Sequence, residues 1–118
     1  RVSSKSDFKN CLLATGGPRY VSNQKEKIMK EYEKVSKKVR PAIRKLGSAA
    51  LDLAYIAAGR LDGIWQRDLS YWDIAAGIIL VKESGGFVDS INGDGFNKNE
   101  NDIVATNSKI HKELTNLL

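Results

Sequence analysis

Residues Trp72 to Ser84 carry Ile74, Ala75, Ala76, Ile78, Ile79, Leu80 and Val81 before Gly85-Gly86 breaks the run. At about 100° per residue these side chains point to nearly every side of a helix. Such a helix is stable only when it is buried against neighbours on several sides. A fold that contains it must therefore be layered. With 118 residues, 42% of them hydrophobic and 28% charged, the chain has material for one such core and is too apolar for a disordered chain.

The segments around this helix alternate in kind. Residues 10 to 15 form a short apolar run closed by Gly16-Gly17-Pro18, which reads as a buried strand. Ile28, Met29, Tyr32, Val35 and Val39 recur every three or four positions and predict an amphipathic helix over 24 to 39, stopped by Pro41. A short strand is expected at 42 to 45. Ser48 is placed to cap a second helix, Ala49 to Ala58, with Gly59 at its C-terminal end. Strands follow at Asp62 to Gln66, Phe87 to Ser90 and Ile103 to Thr106, the last two separated by a polar Gly- and Asn-rich turn region over 92 to 101. Ile110, Leu114, Leu117 and Leu118 mark a closing amphipathic helix. Strands alternating with helices predict an α/β unit, with helices layered on a sheet of about five strands.

Composition narrows the chemistry. No window approaches the roughly 18 apolar residues of a membrane span. The single cysteine, Cys11, cannot form an internal disulfide, which suits a reducing cytoplasm. One His and one Cys leave no conventional zinc site, so a metal would be a hard ion held by oxygen. The net charge of +5 is uneven: Lys25, Lys27, Lys30, Lys34, Lys37, Lys38, Arg40, Arg44 and Lys45 face only Glu26, Glu31 and Glu33 in the same stretch. That stretch reads either as the solvated face of a helix or as a surface for an anionic partner.

Asp73 lies in the first turn predicted for the apolar helix, three residues after Ser70. Two roles are open to it. With Ser70 it resembles a capping box; alternatively it is a carboxylate at a helix N-terminus that faces a cleft and holds a divalent cation. The wider pattern bears on the choice: Gly47-Ser48-Ala49-Ala50-Leu51-Asp52-Leu53, then Gly59-Arg60-Leu61-Asp62-Gly63, then Trp72-Asp73-Ile74-Ala75-Ala76-Gly77 and Glu83-Ser84-Gly85-Gly86. Together these resemble the C-terminal signature of the inositol monophosphatase family, in its bacterial extragenic-suppressor branch, and the similarity runs from Val2 to Leu118.

The resemblance implies a Mg²⁺-dependent phosphomonoesterase of inositol phosphates, an α-β-α-β-α sandwich, dimeric and cytoplasmic, of which this chain is the C-terminal αβα part. It implies that Asp73 is a metal ligand, and that Gln66, where the family commonly has Glu, contacts inositol hydroxyls without the charge. Backbone near Ser48 and Ala49 would line the sugar side, though ordinary capping and packing also account for both. The family's first metal-binding glutamate and its Asp-Pro-x-Asp-Gly-Thr segment are not in this sequence; Asp62-Gly63 and Asp94-Gly95 lack the preceding Asp-Pro and the following Thr. With a start at Arg1 and a single methionine, Met29, inside a predicted helix, the chain is expected to be part of a longer protein and inactive alone. A different function is implied by the suppressor branch itself, a regulatory protein that binds RNA or the transcription machinery. Of the other polar residues, Asp52, Asp62, Asp68 and Glu83 make no replacement ligand set. Asp68 is expected near the mouth of the cleft, His111 on an exposed helix side, and Trp65 and Trp72 in the core.

Overall fold

The computed structural model describes residues 1–17, 22–96 and 101–118. Its elements are a 3-10 turn at Phe8–Asn10, β1 (Leu13–Thr15), α1 (Lys25–Ser36), α2 (Ala49–Ala57), β2 (Gly63–Gln66), α3 (Tyr71–Glu83), β3 (Phe87–Asp89), β4 (Ile103–Thr106) and α4 (His111–Asn116). The strands lie in the order β1-β2-β4-β3. β1 runs parallel to β2, pairing Ala14 with Ile64, while β4 is antiparallel to both β2 and β3. The fold is the expected α/β sandwich with one strand fewer. The predicted strand at 42 to 45 contributes a single parallel bridge, Ala14 to Arg44, because only two backbone hydrogen bonds (Thr15 N–H to Arg44 C=O and Arg44 N–H to Leu13 C=O, both 2.9 Å) reach it.

Side-chain alternation along the strands builds two cores. Ala14, Ile64, Ile103 and Ala105 face Leu53, Ile56, Ile74, Ile78 and Val81 of α2 and α3. Leu13, Trp65 and Val104 face the other way, onto Phe8, Val35, Val39, Ile110 and Leu114. The sheet is thus covered on both sides. Trp65 is in the core as expected, at 1% exposure.

Several boundaries move for local reasons. The first apolar run begins as a 3-10 turn closed by Cys11 N–H to Phe8 C=O, which leaves only Leu13–Thr15 for the strand. α1 ends at Ser36 rather than 39, because Lys38 N–H turns to Val35 C=O and Arg40 N–H bonds Lys9 C=O. Val39 is still buried, outside any helix. Part of the 92 to 101 turn region lies outside the described residues.

Helix α3 departs from expectation more seriously. Ile74, Gly77, Ile78 and Val81 are buried, but Trp72 is 86% exposed, Ile79 62% and Leu80 48%. Positions 72, 76, 79 and 80 form one stripe on an α-helix, so α3 is covered on the α2 and sheet side and bare on the other. Trp72 is therefore not a core residue. His111 errs in the opposite direction: it is half-buried, edge-on to Phe87 at 4.4 Å, with Nδ1 3.0 Å from Thr106 Oγ1. Among the described residues no helix is long and apolar enough to cross a membrane.

Candidate substrate cleft

Three chain segments meet at one open cleft of about 490 Å³, lined by Gly47, Ser48, Ala49, Ala50, Gln66, Leu69, Trp72 and Asp73. All four candidate residues, Ser48, Ala49, Gln66 and Asp73, are on its wall. The first segment is the N-terminus of α2. Gly47 takes φ +85°, a left-handed turn that suits glycine, and Ser48 Oγ then accepts from Leu51 N–H at 3.2 Å as the predicted cap. The backbone N–H groups of a helix start carry partial positive charge toward the cleft.

The second segment is the end of β2. Gln66 shares the sheet face of Ile64 and so points toward α2 and α3. Its side chain packs on Gly16, where a β-carbon would collide with the Gln66 amide group. Gln66 Oε1 is buried and has no hydrogen-bond partner among the described residues. A buried acceptor left unpaired is costly and marks a place where a donor belongs.

The third segment is the N-terminus of α3. Asp73 is exposed, in the first turn. The capping box does not form: Ser70 makes no side-chain cap, and Asp73 N–H bonds the Ser70 carbonyl at 3.0 Å instead. Of the two sequence readings of Asp73, the capping one is removed.

The turn between β2 and α3 is held by an ion-pair network that sequence reasoning passed over. Arg67 is buried and forks onto Glu31, Nε to Oε1 at 2.9 Å and Nη2 to Oε2 at 2.6 Å, while Nη1 reaches Asp102 Oδ2 at 2.7 Å. The carboxylates hold the guanidinium above its ordinary range. A signal was available: Glu31 falls three residues after Ile28 and four before Val35, on the buried stripe of α1, where a carboxylate needs an internal partner. Asp68 does not face the cleft mouth. Its carboxylate accepts from Ser22 Oγ and from Gln24 Nε2 at 2.7 Å.

The remaining candidates are structural or remote. Asp62 accepts from Leu12 N–H at 2.7 Å and from the Ser3 hydroxyl, and lies 3.6 Å from Lys5 Nζ, an anchor for the N-terminal segment. Glu83 is exposed at the far end of α3. Asp52 is 1% exposed, its Oδ1 has no partner among the described residues, and burial lifts its carboxyl to about 6. Burial pushes the Cys11 thiol up to about 11, leaving it an unreactive core group.

Among the described residues no three His, Cys, Asp or Glu side chains gather into a metal-holding group. The cleft offers one carboxylate, that of Asp73, while Gln66 Oε1 is buried behind the wall. A carboxylate is a hard oxygen donor of the kind Mg²⁺ takes, but one is too few for its near-octahedral shell. It fits one edge of a metal site and not a whole one.

Comparison with known proteins places this chain in a family. The sequence profile of the inositol monophosphatase family matches residues 1–118. The inositol-1-monophosphatase of Rhizobium meliloti is 39% identical over 118 residues, covering 100% of this chain and 44% of that protein. The Nus factor SuhB of Pseudomonas aeruginosa is 40% identical over 116 residues, covering 97% of this chain and 42% of that protein. Among solved structures, the extragenic suppressor protein suhB of Bartonella henselae superposes with a TM-score of 0.92 at 40% identity, over 99% of this chain and 44% of that one. Inositol monophosphatase from Anabaena gives 0.87 at 35% identity, over 99% of this chain and 46% of that one. The chain thus spans less than half the length of these relatives. On sequence and fold together, it belongs to the inositol monophosphatase family.

Proposed function

We propose that residues 1–118 supply the polyol side of the active site, and one metal-binding carboxylate, to a Mg²⁺-dependent phosphomonoesterase acting on inositol phosphates. The observation that carries this reading is the convergence of Ser48, Ala49, Gln66 and Asp73 on one cleft. Gln66, on the cleft wall, brings an amide group that hydrogen-bonds a hydroxyl, which suits a polyol. The start of α2 presents backbone N–H donors to the same ligand, while Leu69 and Trp72 exclude water from its apolar edges. Asp73 is the residue that would hold metal. Bound divalent metal supplies polarisation of the phosphate and activation of water in this class of chemistry. Because Gln66 is neutral, recognition of inositol rests on hydrogen bonding alone.

With one carboxylate in the cleft, residues 1–118 alone do not assemble the site and release no phosphate. The working protein is a cytoplasmic homodimer. The test is phosphate release from inositol 1-phosphate, with and without Mg²⁺, by the gene product that carries these residues. Mg²⁺-dependent turnover is expected, and none from residues 1–118 by themselves. Turnover that is indifferent to Mg²⁺, or robust turnover by the isolated 118 residues, would refute the reading.

A second reading has its own observation. Glu31 is withdrawn inside against Arg67 and Glu33 is paired to Lys37 at 2.9 Å, so the outer face of residues 25 to 45 is dominated by lysine and arginine. This suits RNA or an acidic surface of the transcription machinery, as the relatives named Nus factor suggest. Salt-sensitive RNA binding abolished by charge reversal at Lys27 and Lys34 would support it.

A further inference from the structure

Arg67 and Glu31 form an ion pair with both side chains 4% exposed. Burial of that kind is poorly explained by stability, since the cost of drying two charges roughly cancels their attraction. What the pair does provide is geometry. Arg67 uses Nε and Nη2 on Glu31 and Nη1 on Asp102, and the other oxygen of Asp102 accepts from Asp68 N–H at 3.1 Å. Asp68 has φ +60°, a left-handed conformation rare outside glycine, and such a residue persists only where its surroundings over-determine it. Here they do. The Asp68 carboxylate is held by Ser22 and Gln24, and Leu69 N–H bonds Asn101 C=O at 2.8 Å. The turn is pinned to the start of α1 on one side and to the approach to β4 on the other.

Its two flanks are the cleft. Gln66 immediately precedes Arg67, while Leu69, Trp72 and Asp73 follow it. We infer that Arg67 is a positioning residue: through Glu31 and Asp102 it fixes the β2–α3 turn and so sets the separation of Gln66 from Asp73 across the cleft. Its guanidinium is committed to the two carboxylates, so it acts through its neighbours and not on the ligand. The inference rests on the reading of this cleft as the substrate site, and its test is arranged so that the two can fail separately.

The experiment compares the gene product carrying these residues with the double variant Glu31→Leu/Arg67→Met. Replacing both charges by apolar side chains removes the drying cost and leaves no orphan between them, so the melting temperature should stay close to that of the wild type. Asp102, already partly exposed, turns to water. Hydrogen exchange at the Asp68, Leu69 and Asp73 amides should accelerate at least tenfold, while Val104 and Ala105 in β4 keep their rates. KM for inositol 1-phosphate should rise about tenfold or more. Unchanged exchange at the three amides overturns the inference, and so does faster exchange with unchanged KM, which would make the network structural only. If the wild type does not turn over inositol 1-phosphate, that failure falls on the substrate reading, and the exchange rates still decide the positioning claim. Should the double variant not fold, Arg67→Lys keeps the charge but cannot make the fork. It must show the same acceleration at the same amides, and wild-type rates there overturn the proposal.

Discussion

Asp52 lies in the first turn of α2 with 1% exposure and an oxygen that meets no donor among the described residues. Burial raises its carboxyl to about 6. In the folded protein the proton stays on up to about pH 6, whereas an unfolded chain releases it near 3.9. Between those values the folded state holds more protons, so stability falls as pH rises, and the whole loss is present above about pH 7. The gap corresponds to about 3 kcal/mol. Asp52→Asn keeps the shape and removes the charge. The variant should match the wild type near pH 4, where both side chains are neutral. By pH 8 it should be more stable by about 3 kcal/mol, which for a chain of this size is on the order of 10 °C in melting temperature. What pH dependence remains in the variant should include His111, whose burial lowers its pKa. The folded state resists a proton that the unfolded chain accepts near 6.5, so that contribution is lost as pH falls below this value. The assay is thermal unfolding by circular dichroism from pH 4 to 8. A wild-type-to-variant difference that is constant with pH, or that shrinks toward pH 8, would refute the reasoning.

Other expectations follow from close contacts. A β-carbon at Gly77 would stand 2.6 Å from Leu53 Cδ1 and 2.7 Å from Leu53 Cβ. Leu53 is fully buried and its Cβ cannot rotate away, so Gly77→Ala should cost about 2 kcal/mol despite the better helix propensity of alanine, read as a lower urea midpoint. Gly16→Ala should displace the flexible Gln66 side chain with little loss of stability, and raise KM for inositol 1-phosphate about tenfold, the worth of one hydrogen bond. Gln66→Glu should improve use of inositol phosphate relative to other phosphomonoesters, read from the ratio of kcat/KM values.

What was legible in the sequence was local. Ser48 announced its cap by type and place, β4 fell on Ile103–Thr106 as read, and the alternation of short apolar runs with helical spacing produced the layered sheet. The misreadings concern contacts between residues far apart in sequence. Trp72 has the composition of a core residue, but α2 and the sheet take only the opposite side of α3. His111 looks like a surface residue until Phe87 of β3 and Thr106 of β4 close on its ring. The Arg67–Glu31 pair joins positions 36 residues apart, and no spacing rule links a strand end to a helix stripe over that distance. The cleft residues Ser48, Ala49, Gln66 and Asp73 were named through the resemblance of the segments around them to a family signature, and the structure brings them to one wall. The Gln66 oxygen that meets no donor among the described residues was not legible, since it depends on how closely Gly16 lets the side chain pack.

The most direct test of the central claim is Asp73→Asn in the gene product that carries these residues, assayed for Mg²⁺-dependent phosphate release from inositol 1-phosphate. The Asp73 side chain caps nothing and is exposed, so the variant should fold with an unchanged circular dichroism spectrum and melting temperature. Removing one metal-binding charge should lower turnover by about a hundredfold or more, the scale of losing several kcal/mol of transition-state stabilisation. Retention of wild-type turnover and Mg²⁺ dependence by a folded Asp73→Asn protein would contradict the account.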